Sequence, residues 1–366
     1  MVSQLIADLD VQVERFGTIL APNGHAEQSL GVLNPACARG RDGSLLLYPR
    51  EVARGNISRI GMARGLSEKE PRFEYIGYAL QPEAPYELRD QGGGYGCEDP
   101  RTTFIKALDC YVMAYTAFGP EGPRIAIATS EDGLKWKRVG LLQFKRPGMH
   151  VGDDKDAAFF PEPVRSPDGV LSLAFYHRPM LHLSAVDGRA AVPLIEKMPF
   201  EDRESIRLGY IPLEPLIKNR KKLTDVAESV LVMAPTPEWG SLKLGCGTPP
   251  VRIAEGWMSV YHAVDVVMTS RAEPHFRYAA GIMIHDLENP HVLRYRSPQP
   301  VLMPQTRAER KGAVANVVFP TGIDPRPDLG ERTFDIYYGM ADFRIGLMRL
   351  TLGASQEGRE PAESAA

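Results

Sequence analysis

The sequence predicts an all-β protein: a five-bladed β-propeller with a central active-site pocket and few peripheral helices. Three observations predict it: abundant glycine and proline, five short apolar strands that end in tyrosine, and a turn before and a strand after nearly all of them. The 34 glycines and 31 prolines are about 18 % of the 366 residues, against a usual roughly 12 %, which argues against a helix bundle. With 43 % hydrophobic and 24 % charged residues, the composition is that of a folded globular chain.

Residues 1–29 read as an N-terminal extension, partly helical over Met1–Phe16. The first blade opens at Asn34-Pro35, continues in Leu45–Tyr48 after the Asp42-Gly43 turn, and turns back through Ser58–Ala63. The second runs from Asp99-Pro100 through Tyr111–Tyr115, which follows Leu108-Asp109, to Arg124–Ala128. In the third, Phe160-Pro161 leads to Leu171–Tyr176 after Asp168-Gly169, with Leu181–Ala185 as a weaker third strand. The fourth comprises Thr248–Pro250, Trp257–Tyr261 after Glu255-Gly256, and Arg277–Gly281. The fifth comprises Phe319-Pro320, Phe334–Tyr338 after Leu329-Gly330, and Arg344–Met348. Proline is tolerated at the start of a strand, where its missing N–H breaks no ladder bond, and Asp-Gly pairs turn hairpins. Between the third and fourth blades Glu201–Leu231, with the basic run Lys218–Lys222, reads as helical. The propeller is thus expected over 30–352, and 353–366 is too polar to fold. The tyrosines are spaced by about 61 to 85 residues, more than the roughly 40 to 50 of common propeller repeats, so the loops between blades are large. A β-sandwich whose strands resemble one another by chance is the plainer alternative, and the repeat count argues against it.

The net charge of −3 gives no electrostatic reason to expect a nucleic acid or a membrane surface as partner. Four cysteines at 37, 97, 110 and 246 have neither zinc-ligand nor disulfide-framework spacing. The first twenty residues carry Asp8, Asp10, Glu14 and Arg15 and lack the apolar core of a signal peptide, and no apolar run is long enough to span a membrane. A cytoplasmic location is expected.

In a propeller the innermost strands converge on the axis, so residues at their starts share one pocket. Those positions hold Asn34, Glu98, Asp99, Lys155, Asp156, Lys243 and Asn316, and the ends of the second strands add Arg50, Arg178 and His262. Charges gathered at one place are costly to bury unless they are paired or bind something, so a polar ligand follows. The acidic loop Gly152–Asp156 lacks the spacing of a calcium loop, and Gly92–Gly94 lacks the Gly-Lys-Ser/Thr of a phosphate loop and reads as a hinge or lid. No metal is expected.

The segments Asn34-Pro35 with Leu46–Arg50, Gly96–Arg101, Ser130–Trp136, Lys155–Glu162, His177–Pro179, Gly247–Pro250, Tyr261-His262, Asn316–Pro320 and Tyr337–Asp342 together resemble glycoside hydrolase family 130, the mannoside phosphorylases and some β-mannosidases. They stand in the family's order over about residues 30 to 350, and the family's fold is a five-bladed propeller. The resemblance implies that Asp99 is the single catalytic acid, acting by way of a sugar hydroxyl. It further implies that Asn34, Arg50, Asp156, Lys243 and Asp342 bind the mannosyl unit, and that Lys155, Arg178 and His262 hold phosphate. Phosphate is already an anionic nucleophile and needs no general base, whereas an inverting glycosidase needs a second carboxylate to activate water. One departure is visible: Lys155-Asp156 stands where phosphorylases of the family have Arg-Asn, which keeps the cation, loses its fork and adds a carboxylate.

The expectation is therefore an inverting β-mannoside phosphorylase giving α-mannose 1-phosphate, with a small oligosaccharide and inorganic phosphate as partners and no cofactor. An inverting β-mannosidase using Glu98, Asp156 or Glu162 as base is the second reading. A non-catalytic sugar-binding propeller is the third. Tyr86, Tyr95 or Trp239 would serve as stacking platforms, and whether the chain forms a homo-oligomer is open.

Overall fold

In the computed structural model, which describes residues 6, 9–90, 92–145, 152–181, 191–268 and 274–353, antiparallel sheets follow one another along the chain as propeller blades. Strand β1 (Val11–Leu20) comes first in sequence and last in the ring. Blade one is β2 (Gly31–Arg39), β3 (Leu45–Ala53), β4 (Ile57–Gly65) and β5 (Phe73–Leu80). Blade two is β6 (Tyr95–Ile105), β7 (Cys110–Gly119), β8 (Gly122–Ser130) and β9 (Lys137–Leu141), after which β10 (Gln143–Phe144) leaves the sheet. Blade three orders β11 (Asp154–Phe159), β13 (Leu171–Pro179), β14 (Ile206–Pro212) and β16 (Glu228–Met233), with β12 (Val164–Arg165) on β13 and β15 (Asp225–Val226) paired with β10. Blade four orders β17 (Lys243–Cys246), β19 (Gly256–Met268), β20 (Pro274–His285) and β21 (Leu293–Arg296), with β18 (Val251–Ile253) on β19. Blade five is β22 (Val318–Pro325), β23 (Thr333–Met340) and β24 (Arg344–Leu352), completed by β1.

All five tyrosine-ended segments are second strands of blades, and four of the expected third strands fall in β4, β8, β20 and β24. The ring is closed by packing. Separate hydrophobic clusters fill the interfaces between blades one and two, two and three, three and four, four and five, and five and one. The five repeat tyrosines, Tyr48, Tyr115, Tyr176, Tyr261 and Tyr338, all lie in these interfaces, fully or almost fully buried. That is why the repeat is visible: one bulky side chain per blade wedges it against its neighbour, and the hydroxyls of Tyr48, Tyr115 and Tyr338 each donate to a buried acceptor.

Three expectations are corrected. Residues 11–20 are not helical: Val11, Val13 and Arg15 alternate with exposed neighbours, a period of two, and the strand pairs along β24 from Val11↔Leu352 to Leu20↔Ile345. The supposed extension is therefore the outer strand of the last blade. Glu201–Leu231 holds only one short α-helix, α2 (Leu213–Lys218), between β14 and β16, with 3-10 turns at Phe200–Asp202 and Arg220–Thr224, because its apolar residues serve those strands. The third strand of blade three is β14; residues 182–185 of the segment expected in that place lie outside the described residues, as does the tail 354–366. The remaining α-helices described are short, α1 (Val192–Glu196) before α2 and α3 (Arg307–Arg310) after it.

The prolines are also placed differently from expectation. Pro35, Pro100 and Pro320 lie within the inner strands, where the pairing with the second strand shifts register. At these prolines the inner strand is paired on one side only, the parallel pairing of β6 with β4 being confined to Tyr95 and Gly96, so a bulge there accommodates a residue without an N–H.

Candidate active site

The bulges aim the chemistry. Asn34, Asp99 and Asp156 occupy matching positions on β2, β6 and β11, each with a left-handed backbone (φ 42°, 45° and 61°). Asn and Asp tolerate this conformation at a cost on the order of 1 kcal/mol, and in each strand the register slips across that residue. Close backbone approach supports the second bulge: a Cβ on Gly96 would lie 2.1 Å from the Ser58 carbonyl oxygen, and Gly96 itself has φ 125°.

Around Asp99 the side chains interlock. Asn34 Nδ2 donates to Asp99 Oδ1 at 2.9 Å, Arg50 Nη1 donates to the same oxygen at 3.1 Å, and Arg50 Nη2 donates to Glu98 Oε1 at 2.8 Å. Lys155 Nζ donates to Glu98 Oε2 at 3.3 Å. Burial pushes the Asp99 carboxyl up, but Arg50, Arg101 and Lys155 outweigh it and hold the group below the ordinary carboxylate range. Asp342, also left-handed (φ 49°), shows the opposite balance: burial and the neighbouring Asp99 charge push its carboxyl up to about 6. These neighbouring carboxyls with opposed shifts make a pair in which, below about pH 6, Asp342 keeps a proton while Asp99 is ionised.

Arg101 joins this group to a second one. Its Nη1 donates to the Asp99 carbonyl oxygen at 2.9 Å and its Nη2 to Asp156 Oδ1 at 3.2 Å, with further bonds to the carbonyls of Cys246 and Gly247. Asp156 Oδ2 accepts from Arg178 Nε at 2.7 Å and lies 3.5 Å from His262 Nε2. Burial opposes its ionisation, yet Arg178 and Arg101 hold the carboxyl well below the usual range. Burial also pushes His262 down to about 3, so its imidazole is neutral, and its ring centre lies 4.2 Å from that of Phe319. Arg178 Nη1 donates to Glu204, and the Lys243 ammonium sits against Tyr278, 5.8 Å from its ring centre. Gly245 makes room here, since a Cβ would lie 2.3 Å from Asp156 Oδ2 and 2.4 Å from the His262 ring.

The expected site residues other than Lys243 and Asn316 lie within these two groups; Lys243 adjoins the second, and Asn316, left-handed at φ 60°, gives its carbonyl to the Tyr278 amide at 3.0 Å. Their partition differs from expectation. Lys155, expected with phosphate, pairs with Glu98 beside Asp99, while Asp156 and Lys243, expected with the sugar, stand with Arg178 and His262. The cations of the site form an ion-pair network, because buried cations this close are tolerable only with carboxylates between them. Two members escaped sequence reasoning. Arg101 lies in the Gly96–Arg101 motif but two residues past the strand position that points at the axis, and Glu204 lies in a segment expected to be helical. Glu162 is excluded as a site base, since its partner is Arg252 and both are exposed. Trp239 is 4 % exposed and stacks on Tyr261, so it is core rather than platform. Ser, His and Asp do meet in space, through Asp154, His177 and Ser229, but Ser229 Oγ also accepts from Arg207 at 3.1 Å; the chain of bonds braces β13 beside Arg178. Among the described residues no group of three potential metal ligands occurs.

A family model described as β-1,4-mannooligosaccharide phosphorylase matches residues 13–354. A 1,2-β-oligomannan phosphorylase of Thermoanaerobacter sp. (strain X514) is 30 % identical over 301 residues, 81 % of this chain and 79 % of that one. A β-1,2-mannobiose phosphorylase of the same strain is 28 % identical over 80 % of this chain and 76 % of its own. In fold, the chain is similar to β-1,2-mannobiose phosphorylase from Listeria innocua in complex with β-1,2-mannobiose, with a TM-score of 0.67 at 20 % identity, covering 93 % of this chain and 97 % of that one.

Proposed function

Because the chain belongs to glycoside hydrolase family 130, we propose that it is an inverting β-mannoside phosphorylase, which cleaves a β-mannoside with inorganic phosphate to give α-mannose 1-phosphate and a shortened acceptor. The observation that carries the reading is the pairing, across Arg101, of one acid group around Asp99 with one anion-binding group around Arg178.

In this reaction Asp99 supplies the proton to the departing oxygen, by way of a sugar hydroxyl, after receiving one from the pair it forms with Asp342. Arg50 and Asn34 fix its carboxyl, and with Asp342 they bind the mannosyl unit. Phosphate, held by Arg178, Lys243 and His262 with Lys155 at the boundary, attacks the anomeric carbon from the opposite face, and the single displacement inverts it. Asp156 and Glu204 are poor bases for water, held low by Arg178 with Arg101 and Lys243, and both carboxylate oxygens of Glu98 are bonded, to Arg50 and Lys155. This disfavours the hydrolytic reading. Phosphate is the co-substrate and no metal takes part. No helix among the described residues is long and apolar enough to cross a membrane, and four free, buried cysteines fit a reducing compartment, so the cytoplasm is part of the same proposal.

Incubation with β-1,2- and β-1,4-mannobiose, with and without phosphate, tests the reading. Phosphate-dependent release of mannose 1-phosphate is expected, with Asp99→Asn lowering turnover on the order of 10² to 10⁴-fold. Release of free mannose at a rate indifferent to phosphate would sink it.

A further inference from the structure

Arg178 is the centre of the anion-binding group, yet its guanidinium is occupied on both sides, by Asp156 at Nε and Glu204 at Nη1. The two carboxylates are held unequally. Asp156 sits on a strand bulge and is gripped by Arg178, Arg101 and the His262 ring. Glu204 lies in the bend before β14, and from the described residues its carboxylate takes, beyond Arg178, only a long bond from the Leu181 amide at 3.4 Å. Its main chain is fixed, since the Glu204 carbonyl accepts from Leu244 N at 3.0 Å in the strand that carries Lys243. The side chain can therefore swing while its anchor stays. Burial raises the Glu204 carboxyl, but Arg178 and Lys243 more than offset this and keep it ionised.

Charge balance gives this arrangement a consequence. With His262 neutral, the second group holds the cations Arg101, Arg178 and Lys243 against the anions Asp156 and Glu204, an excess of one positive charge. Phosphate brings between one and two negative charges. With Glu204 in place the buried group carries a net charge of zero with the phosphate monoanion and minus one with the dianion, and with Glu204 withdrawn the dianion is balanced. A carboxylate and a phosphate present the same kind of oxygen pair to a guanidinium edge.

We propose that Glu204 is a built-in competitor for phosphate: in the free enzyme its carboxylate takes the place on Arg178 that phosphate needs, and phosphate binds by displacing it. Glu204 thereby sets the affinity for phosphate without touching the sugar. The proposal rests on the phosphorolytic reading.

The test is Glu204→Gln, which keeps the shape and removes the charge. Titration of the full-length variant with inorganic phosphate is expected to show binding on the order of tenfold tighter than wild type. The KM for phosphate should fall in step, while the KM for β-mannobiose moves by less. Unchanged or weaker phosphate binding by a variant that melts as wild type does would overturn the proposal, because Glu204 would then be a strut that positions Arg178. Glu204→Asp, which keeps the charge but draws it back by one methylene, answers the same question if the glutamine variant does not fold: tighter binding supports displacement and weaker binding overturns it. A wild-type enzyme that binds phosphate and depends on it, with no tightening in either variant, leaves phosphorolysis standing and removes this proposal alone. A wild-type enzyme that neither binds nor uses phosphate removes both.

Discussion

Asp99 and Asp342 show how neighbouring carboxyls acquire different duties. Asp99 faces Arg50 and Arg101 and is ionised, while Asp342, buried beside that charge, holds its proton to about pH 6. If Asp342 stores the proton that Asp99 delivers, kcat/KM should fall as pH rises above about 6, and Asp342→Asn should remove that limb from the pH–rate profile. A wild-type profile flat from about pH 5 to 8 would contradict it. The same shift acts on stability with a definite sign. The folded chain holds this proton more tightly than the unfolded one, whose pKa is near 3.8, so Asp342 costs stability progressively as pH rises from about 4 to about 6 and by a constant amount above. At this scale the sequence was informative about identity: Asn34, Arg50, Asp99, Lys155, Asp156, Arg178, Lys243 and His262 all fall in or beside the two groups. Which residue pairs with which was not legible, because Lys155 and Asp156, adjacent in sequence, point to different groups on either side of a bulge.

At the scale of elements, the inner-strand bulge is the recurring device and β1 is the closing one. The bulge turns a strand residue toward the axis, and it was half visible, since Asn34-Pro35 and Asp99-Pro100 mark two of its three sites. Strand β1 was missed because its charges resemble a solvated helix; its alternation matters only once β24 offers an edge to pair with. Besides that ladder, Arg15 bonds Glu309 at 3.2 Å and the Met303 carbonyl at 3.0 Å, and Val11 and Val13 pack on the core between blades four and five. Deleting residues 1–20 should therefore lower Tm by roughly 5 to 15 °C or abolish cooperative melting. An unchanged Tm would show that the ring closes without it.

For the whole molecule, the site sits where several blades meet: Asn34 comes from the first, Asp99 from the second, Arg178 from the third, His262 from the fourth and Asp342 follows the last strand but one. Anything that binds there braces the ring. Phosphate should raise Tm, with a gain in stability of about 2.7 kcal/mol at a hundredfold excess over its Kd, and chloride at equal ionic strength should not. A Tm indifferent to phosphate would count against an axial anion site. By itself the sequence determined the blade count and the second strands, because strand periodicity, turn residues and one wedging tyrosine per blade are local or repeating features. Only the tertiary structure decided that the first strand completes the last blade, that the basic residues are neutralised by carboxylates, and that Glu204 stands on Arg178. Those depend on which side chains meet across blades, and distance along the chain carries no record of that.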